Sequence, residues 1–145
     1  MRAAIIISCA IAAGAVVEAH VTVLPRESQA GVVERYTVRV PTEGQVTTTS
    51  VELEVPAGVT VIEVVAGASY TFDTRREDDR IVAITWKQEI PPKAAGQFVF
   101  TARNPGRGPI TWKAHQRFAD GTSADWVGVA GDRRPASVTQ LKAGR

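Results

Sequence analysis

Beyond an apolar opening stretch, hydrophobic and polar positions alternate along the chain in short runs broken by glycine and proline. Tyr36, Val38 and Val40 fall on one face of such a run, with Thr37 and Arg39 on the other. Ile110, Trp112, Ala114 and Phe118 share one face of a later run; Thr111, Lys113, His115 and Arg117 share the opposite one. A two-residue period of this kind predicts half-buried antiparallel strands. Strands are predicted at His20–Leu24, Val33–Val40, Ser50–Val55, Val59–Ala66, Tyr70–Thr74, Ile81–Trp86, Gln97–Ala102, Pro109–Phe118 and Ser123–Val129. Pro25, Pro41, Pro56-Ala57-Gly58, Glu77-Asp78-Asp79, Pro91-Pro92 and Asn104-Pro105-Gly106 supply turn chemistry between them. Ala119-Asp120-Gly121 between two strands predicts a hairpin. No segment keeps a 3.6-residue period with caps. The pattern predicts an all-β fold, a single immunoglobulin-like or cupredoxin-like antiparallel β-sandwich, with an irregular tail from about residue 130.

The opening stretch changes the picture. Residues 1–19 carry one basic residue near the start, an apolar run of roughly 15 residues and a small residue at the exit, the pattern of a secretory signal peptide. Cleavage before His20 is expected, after Val17-Glu18-Ala19, and residues 20–145 form the expected domain. The only Cys (Cys9) and the only Met (Met1) belong to the leader. The mature chain is then without a disulfide framework, an Fe–S cluster, a Cys-based zinc finger, a cysteine nucleophile or the sulfur ligands of a blue-copper site. No second apolar run reaches the ~20 residues that span a bilayer, so no membrane anchor is expected in the mature chain. Losing Arg2 and Glu18 leaves the net charge at +2, with basic residues scattered and the pairs Arg75–Arg76 and Arg133–Arg134 beside acids. No nucleic-acid footprint results.

Ordinary catalytic motifs are absent: there is no Gly-x-Ser-x-Gly, phosphate loop, Gly-x-Gly-x-x-Gly or His-Glu-x-x-His. No catalytic residue is nominated and an enzyme is not expected. Asp78-Asp79 reads as a solvated turn. Of the two histidines, His115 shares its strand face with Lys113 and Arg117 and so reads as solvent-facing, and those cationic neighbours oppose a cation bound through it. His20 differs, because cleavage makes it the first residue. A free α-amine deprotonates near pH 8, and together with ring Nδ1 it can chelate one ion. This histidine brace does not exist while that nitrogen is an amide. Nitrogen donors with square-planar preference suit Cu(II).

Ala19-His20-Val21-Thr22-Val23-Leu24-Pro25, Ala30-Gly31 and Tyr36-Thr37-Val38-Arg39-Val40-Pro41-Thr42-Glu43 resemble the YcnI-like copper-binding domain family of bacterial envelope proteins. So do Thr49, Val51-Glu52-Leu53-Glu54-Val55-Pro56 with Gly58-Val59, Trp86, Ile90-Pro91, Phe98, Phe100, Asp120-Gly121-Thr122 and Asp125-Trp126. The resemblance covers essentially the whole mature chain and is most specific at its start. It implies a cupredoxin-like sandwich that binds Cu(II) through a single-histidine brace. In this chain His20 matches the brace histidine, Glu43 the supporting glutamate and Trp126 the tryptophan close to the metal. Glu34 and Glu27 are rival carboxylates. An antiparallel pairing of the first two strands would bring His20 and Glu43 to one end of the sandwich and leave Glu34 nearer the other. Trp126 is otherwise read as core, or as a shield for the site.

The expected function is Cu(II) binding in copper acquisition, delivery or homeostasis, periplasmic or secreted, with another envelope copper chaperone or transporter as the possible partner. Family members often carry a C-terminal membrane helix, whereas this chain reads Lys142-Ala143-Gly144-Arg145 at its end, so release is expected. Two alternatives stand beside it: a copper-dependent oxidative enzyme of the lytic monooxygenase type, which would need a second histidine, and a metal-free adhesion or interaction sandwich. Cu(II) is expected over Cu(I), with binding weakening below roughly pH 6 as the donors take up protons.

Overall fold

The structure is a computed structural model and describes residues 19–144. The expected leader, apart from Ala19, lies outside the described residues. Every regular element among the described residues is a strand: β1 (Thr22–Leu24), β2 (Glu27–Gln29), β3 (Val33–Pro41), β4 (Thr48–Glu54), β5 (Thr60–Val64), β6 (Thr71–Glu77), β7 (Arg80–Ile90), β8 (Ala95–Arg103), β9 (Ile110–Trp112), β10 (Ala114–Phe118), β11 (Ser123–Trp126) and β12 (Ser137–Lys142). They form a four-stranded sheet ordered β1-β3-β8-β5, a five-stranded sheet ordered β11-β10-β4-β7-β6 and a small sheet ordered β2-β12-β9.

The alternation seen in the sequence decides which faces meet. Tyr36, Val38 and Val40 of β3 are fully buried, as are Phe98, Phe100 and Ala102 of β8. The opposing sheet contributes Val51 and Leu53 of β4 and Ile84 and Trp86 of β7 to the same core. Trp86 stacks on Phe98 across the two sheets with ring centroids 5.3 Å apart. Tyr36 meets the edge of Trp112 at 5.0 Å and stacks on Phe100 at 5.4 Å. Aromatic contacts of this kind add about 0.5–1.5 kcal/mol each beyond the area they bury.

Three expectations need correction. The tail beyond residue 130 is not irregular throughout: Ser137–Lys142 forms β12, antiparallel to β9 and parallel to β2. Thr139 of β12 is fully buried, accepts a hydrogen bond from the Trp112 indole at 3.0 Å and donates to the Pro25 carbonyl at 2.9 Å. The run Pro109–Phe118 is two strands, because the chain leaves the small sheet at Lys113 and joins the five-stranded one. The strands of the β6–β7 hairpin run beyond Thr74 and Trp86, through charged and exposed residues. Charged β6 lies at the sheet edge, where such residues oppose pairing with another chain. The hairpin at Ala119-Asp120-Gly121 forms between β10 and β11, with Gly121 at φ +85°.

Candidate metal centre

The pairing of β1 with β3 sets one side of the site. Thr22 lies opposite Arg39 and Val23 opposite Val38, so each step toward the chain start moves toward the end of β3. That register carries His20 to the level of Pro41, just before Glu43. The β10–β11 hairpin supplies the other side through Trp126. His20, Glu43 and Trp126 all line one cavity of about 470 Å³. The His20 and Trp126 rings stand 5.4 Å apart, tilted by 50°. Neither His20 ring nitrogen makes a hydrogen bond among the described residues. Ala19 lines the same cavity, so the Ala19–His20 bond lies at its wall.

The rival carboxylates sit elsewhere. Glu34 accepts hydrogen bonds from the Ser28 hydroxyl at 2.7 Å and from the Arg35 N–H at 3.0 Å, near the opposite end of β3. Glu27 pairs with Lys142 at 3.5 Å. Neither lines the cavity.

Gln116 belongs to the site although no sequence motif singles it out. Its signal was a polar side chain at an inward position between Ala114 and Phe118. It is 2% exposed and fully engaged. Its oxygen accepts the Trp126 indole N–H at 3.0 Å, and its nitrogen donates to the Pro41 carbonyl at 3.0 Å and to the Thr48 hydroxyl at 2.7 Å. Thr48 and Thr42 bond to each other at 2.7 Å, and the Thr42 hydroxyl donates to the Ile90 carbonyl at 2.9 Å. One buried amide therefore fixes the Trp126 indole and both ends of the segment that carries Glu43. Buried polar networks with every member satisfied hold such a geometry rigid.

His115 departs from its expected setting. It is only partly exposed, and carboxylates on the neighbouring strands hold both ring nitrogens: Nδ1 lies 2.7 Å from Asp125 and Nε2 2.9 Å from Glu54. Burial alone would lower its pKa, but the hydrogen bonds and charges of Asp125 and Glu54 outweigh it and raise the pKa above the usual 6.5. The cationic neighbours on its own strand are overruled across the sheet.

Donor chemistry at the cavity fits a borderline divalent ion. His20 offers an imidazole with both nitrogens free of hydrogen bonds among the described residues, and Glu43 is an exposed carboxylate. Trp126, 5% exposed and with its N–H committed to Gln116, offers no donor and closes the apolar side of the wall.

The chain's similarities are consistent in extent. The family described as Domain of unknown function (DUF1775) matches residues 20–141. Copper-binding protein CutI of Bacillus subtilis (strain 168) is 35% identical over 127 residues, which cover 85% of this chain and 62% of that protein. This chain thus spans less than two thirds of that relative. A Nocardia farcinica protein whose crystal structure shows an immunoglobulin-like fold superposes with a TM-score of 0.76 at 24% identity, covering 88% of this chain and 100% of that one. A non-cellulosomal cohesin from Archaeoglobus fulgidus superposes with a TM-score of 0.50 at 15% identity over 86% of this chain and 91% of its own. The two structures share the fold.

Proposed function

The chain belongs to the DUF1775 family, the YcnI-like family that its motifs resemble, and we propose that it binds Cu(II) outside the cytoplasm as a copper carrier. The observation that carries this reading is the convergence of His20, Glu43 and Trp126 on one cavity. The copper-binding relative, 35% identical, supports the choice of metal. The ion would be held by the amine and imidazole of His20 after cleavage of residues 1–19, with Glu43 supplying a negative oxygen donor. Cleavage at the cavity wall would release the amine where the imidazole already stands. Nitrogen and oxygen donors without sulfur favour Cu(II) over Cu(I). Trp126 would shield the ion on its apolar side. The role is acquisition, delivery or homeostasis of copper in the periplasm or outside the cell, with copper as cargo rather than catalyst.

The oxidative alternative would need a second histidine at the metal. The engagement of His115 by Asp125 and Glu54 on the strand face counts against it. The reading is tested by intact-mass measurement of the chain exported from a bacterial host, with Cu(II) titration of the same sample. The expected result is a chain that starts at His20 and takes up one Cu(II). A chain that keeps residues 1–19, or a processed chain that takes up no copper, overturns it.

A further inference from the structure

The cavity wall also carries basic residues. Arg133 and Arg134 line it together with His20 and Trp126. Both are exposed, and among the described residues neither guanidinium makes a hydrogen bond or ion pair. The neighbouring acid makes no ion pair with them. Asp132 is spent inside its own loop, where its carboxylate accepts the Val129 N–H at 3.0 Å. The loop is closed by Gly128 N–H to the Arg134 carbonyl at 3.0 Å and Ala136 N–H to the Gly128 carbonyl at 2.8 Å. A Cβ on Gly128 would come within 2.5 Å of the Asp132 carboxylate, so only glycine fits there. The arginine pair is thus presented by a built loop.

This arrangement is unexpected for a cavity that holds only a cation. One carboxylate and two guanidinium groups line it, and a bound dication would add further positive charge. The donors also fall short. Amine, imidazole and Glu43 give three, whereas Cu(II) prefers four in a square plane. The remaining side chains of the wall that carry oxygen, Gln45, Thr122 and Gln116, are neutral, and Gln116 is already committed. A small anion answers both deficits, because guanidinium forks bind carboxylates bidentately while the free carboxylate end can meet the metal.

We propose that Arg133 and Arg134 form an anion subsite of this cavity, and that copper is held there with a small carboxylate as co-ligand between the ion and the arginine pair. The inference rests on the copper reading for the co-ligand but not for the anion subsite. The cavity, about 470 Å³, has room for a small dicarboxylate beside the ion. The anion would leave with the ion or be exchanged when copper is passed on.

Oxalate is the probe, titrated calorimetrically into processed protein with and without Cu(II), for the wild type and for R133Q/R134Q. Oxalate should bind the copper-free wild type weakly and the copper-loaded form at least ~10-fold more tightly, a step of about 1.4 kcal/mol. R133Q/R134Q should lose most of the oxalate binding in both forms yet take up copper in oxalate-free buffer as the wild type does. Oxalate that binds the double variant as well as the wild type, or that binds neither form of the wild type, overturns the subsite. If the wild type takes up no copper, the function proposed above fails, and the copper-free titration still decides the subsite. G128A, which perturbs the loop and keeps both charges, should weaken oxalate as well; unchanged binding would count against a built site. A short aspartate peptide separates the source of the carboxylate: it should bind at least ~10-fold more weakly than oxalate, and equal or tighter binding overturns the assignment to a small free anion.

Discussion

The two histidines of this chain stand in opposite chemical situations. His20 lies at a cavity with both ring nitrogens free of hydrogen bonds among the described residues, beside the tilted ring of Trp126. His115 lies on the outer face of the five-stranded sheet with a carboxylate on each nitrogen. A metal needs an imidazole that is neutral and has a lone pair to give. No carboxylate or other hydrogen-bond partner among the described residues occupies the ring nitrogens of His20. His115 is held as the doubly donating cation to a higher pH than usual and has no lone pair to offer in that form. Residue type alone does not separate them; the partners of the ring nitrogens do.

The comparison breaks most sharply on substitution. His20→Ala should lower Cu(II) affinity by ~100-fold or more, whereas His115→Ala should change it by less than ~3-fold, read by competition titration with a chromophoric chelator. Equal losses would erase the distinction between the two. The next effect lies between the histidines, at Gln116. Gln116→Ala strips the Trp126 indole, the Pro41 carbonyl and the Thr48 hydroxyl of a partner. Leaving buried groups unsatisfied costs about 1–3 kcal/mol, to be read by chemical denaturation. Loss of a supporting partner should also weaken copper binding by ~10-fold, while His115 titrates as before.

The smallest effect belongs to His115 itself. Its pKa is raised, so the stability it contributes is present below about pH 6.5 and is lost as pH rises through the higher value of the folded state. Glu54→Gln with Asp125→Asn should bring the NMR titration midpoint of His115 down. It should also remove up to about 1 kcal/mol of stability at pH 6, because the group is partly solvated. A midpoint that does not move would show that the carboxylates do not hold the ring.

How far the sequence foretells these features depends on how local they are. β3 and β8 are legible because their inward residues alternate without interruption. β12 is not, since its partners β9 and β2 are distant in sequence and Thr139 is buried by hydrogen bonds to Trp112 and Pro25 rather than by its own hydrophobicity. His115 reads as solvent-facing from Lys113 and Arg117 because Glu54 and Asp125 are brought to it only by the pairing of three strands. The meeting of His20 and Glu43 at one end follows from the β1–β3 pairing, but the choice of Glu43 over Glu34 and Glu27 came through family resemblance. Gln116 was visible as a polar residue on an inward face, and its partners were not. Arg133–Arg134 reads as a charged pair beside an acid until the loop shows where Asp132 is spent.

The proposed site stands on the amine of His20 binding copper together with its ring. Cu(II) titration of protein starting at His20, against protein with one additional alanine before it, tests this most directly. The added residue turns the His20 amine into an amide, moves the free amine one residue away and keeps every side chain of the cavity. The added residue is expected to lower Cu(II) affinity by ~100-fold or more. Equal affinity of the two proteins would contradict it.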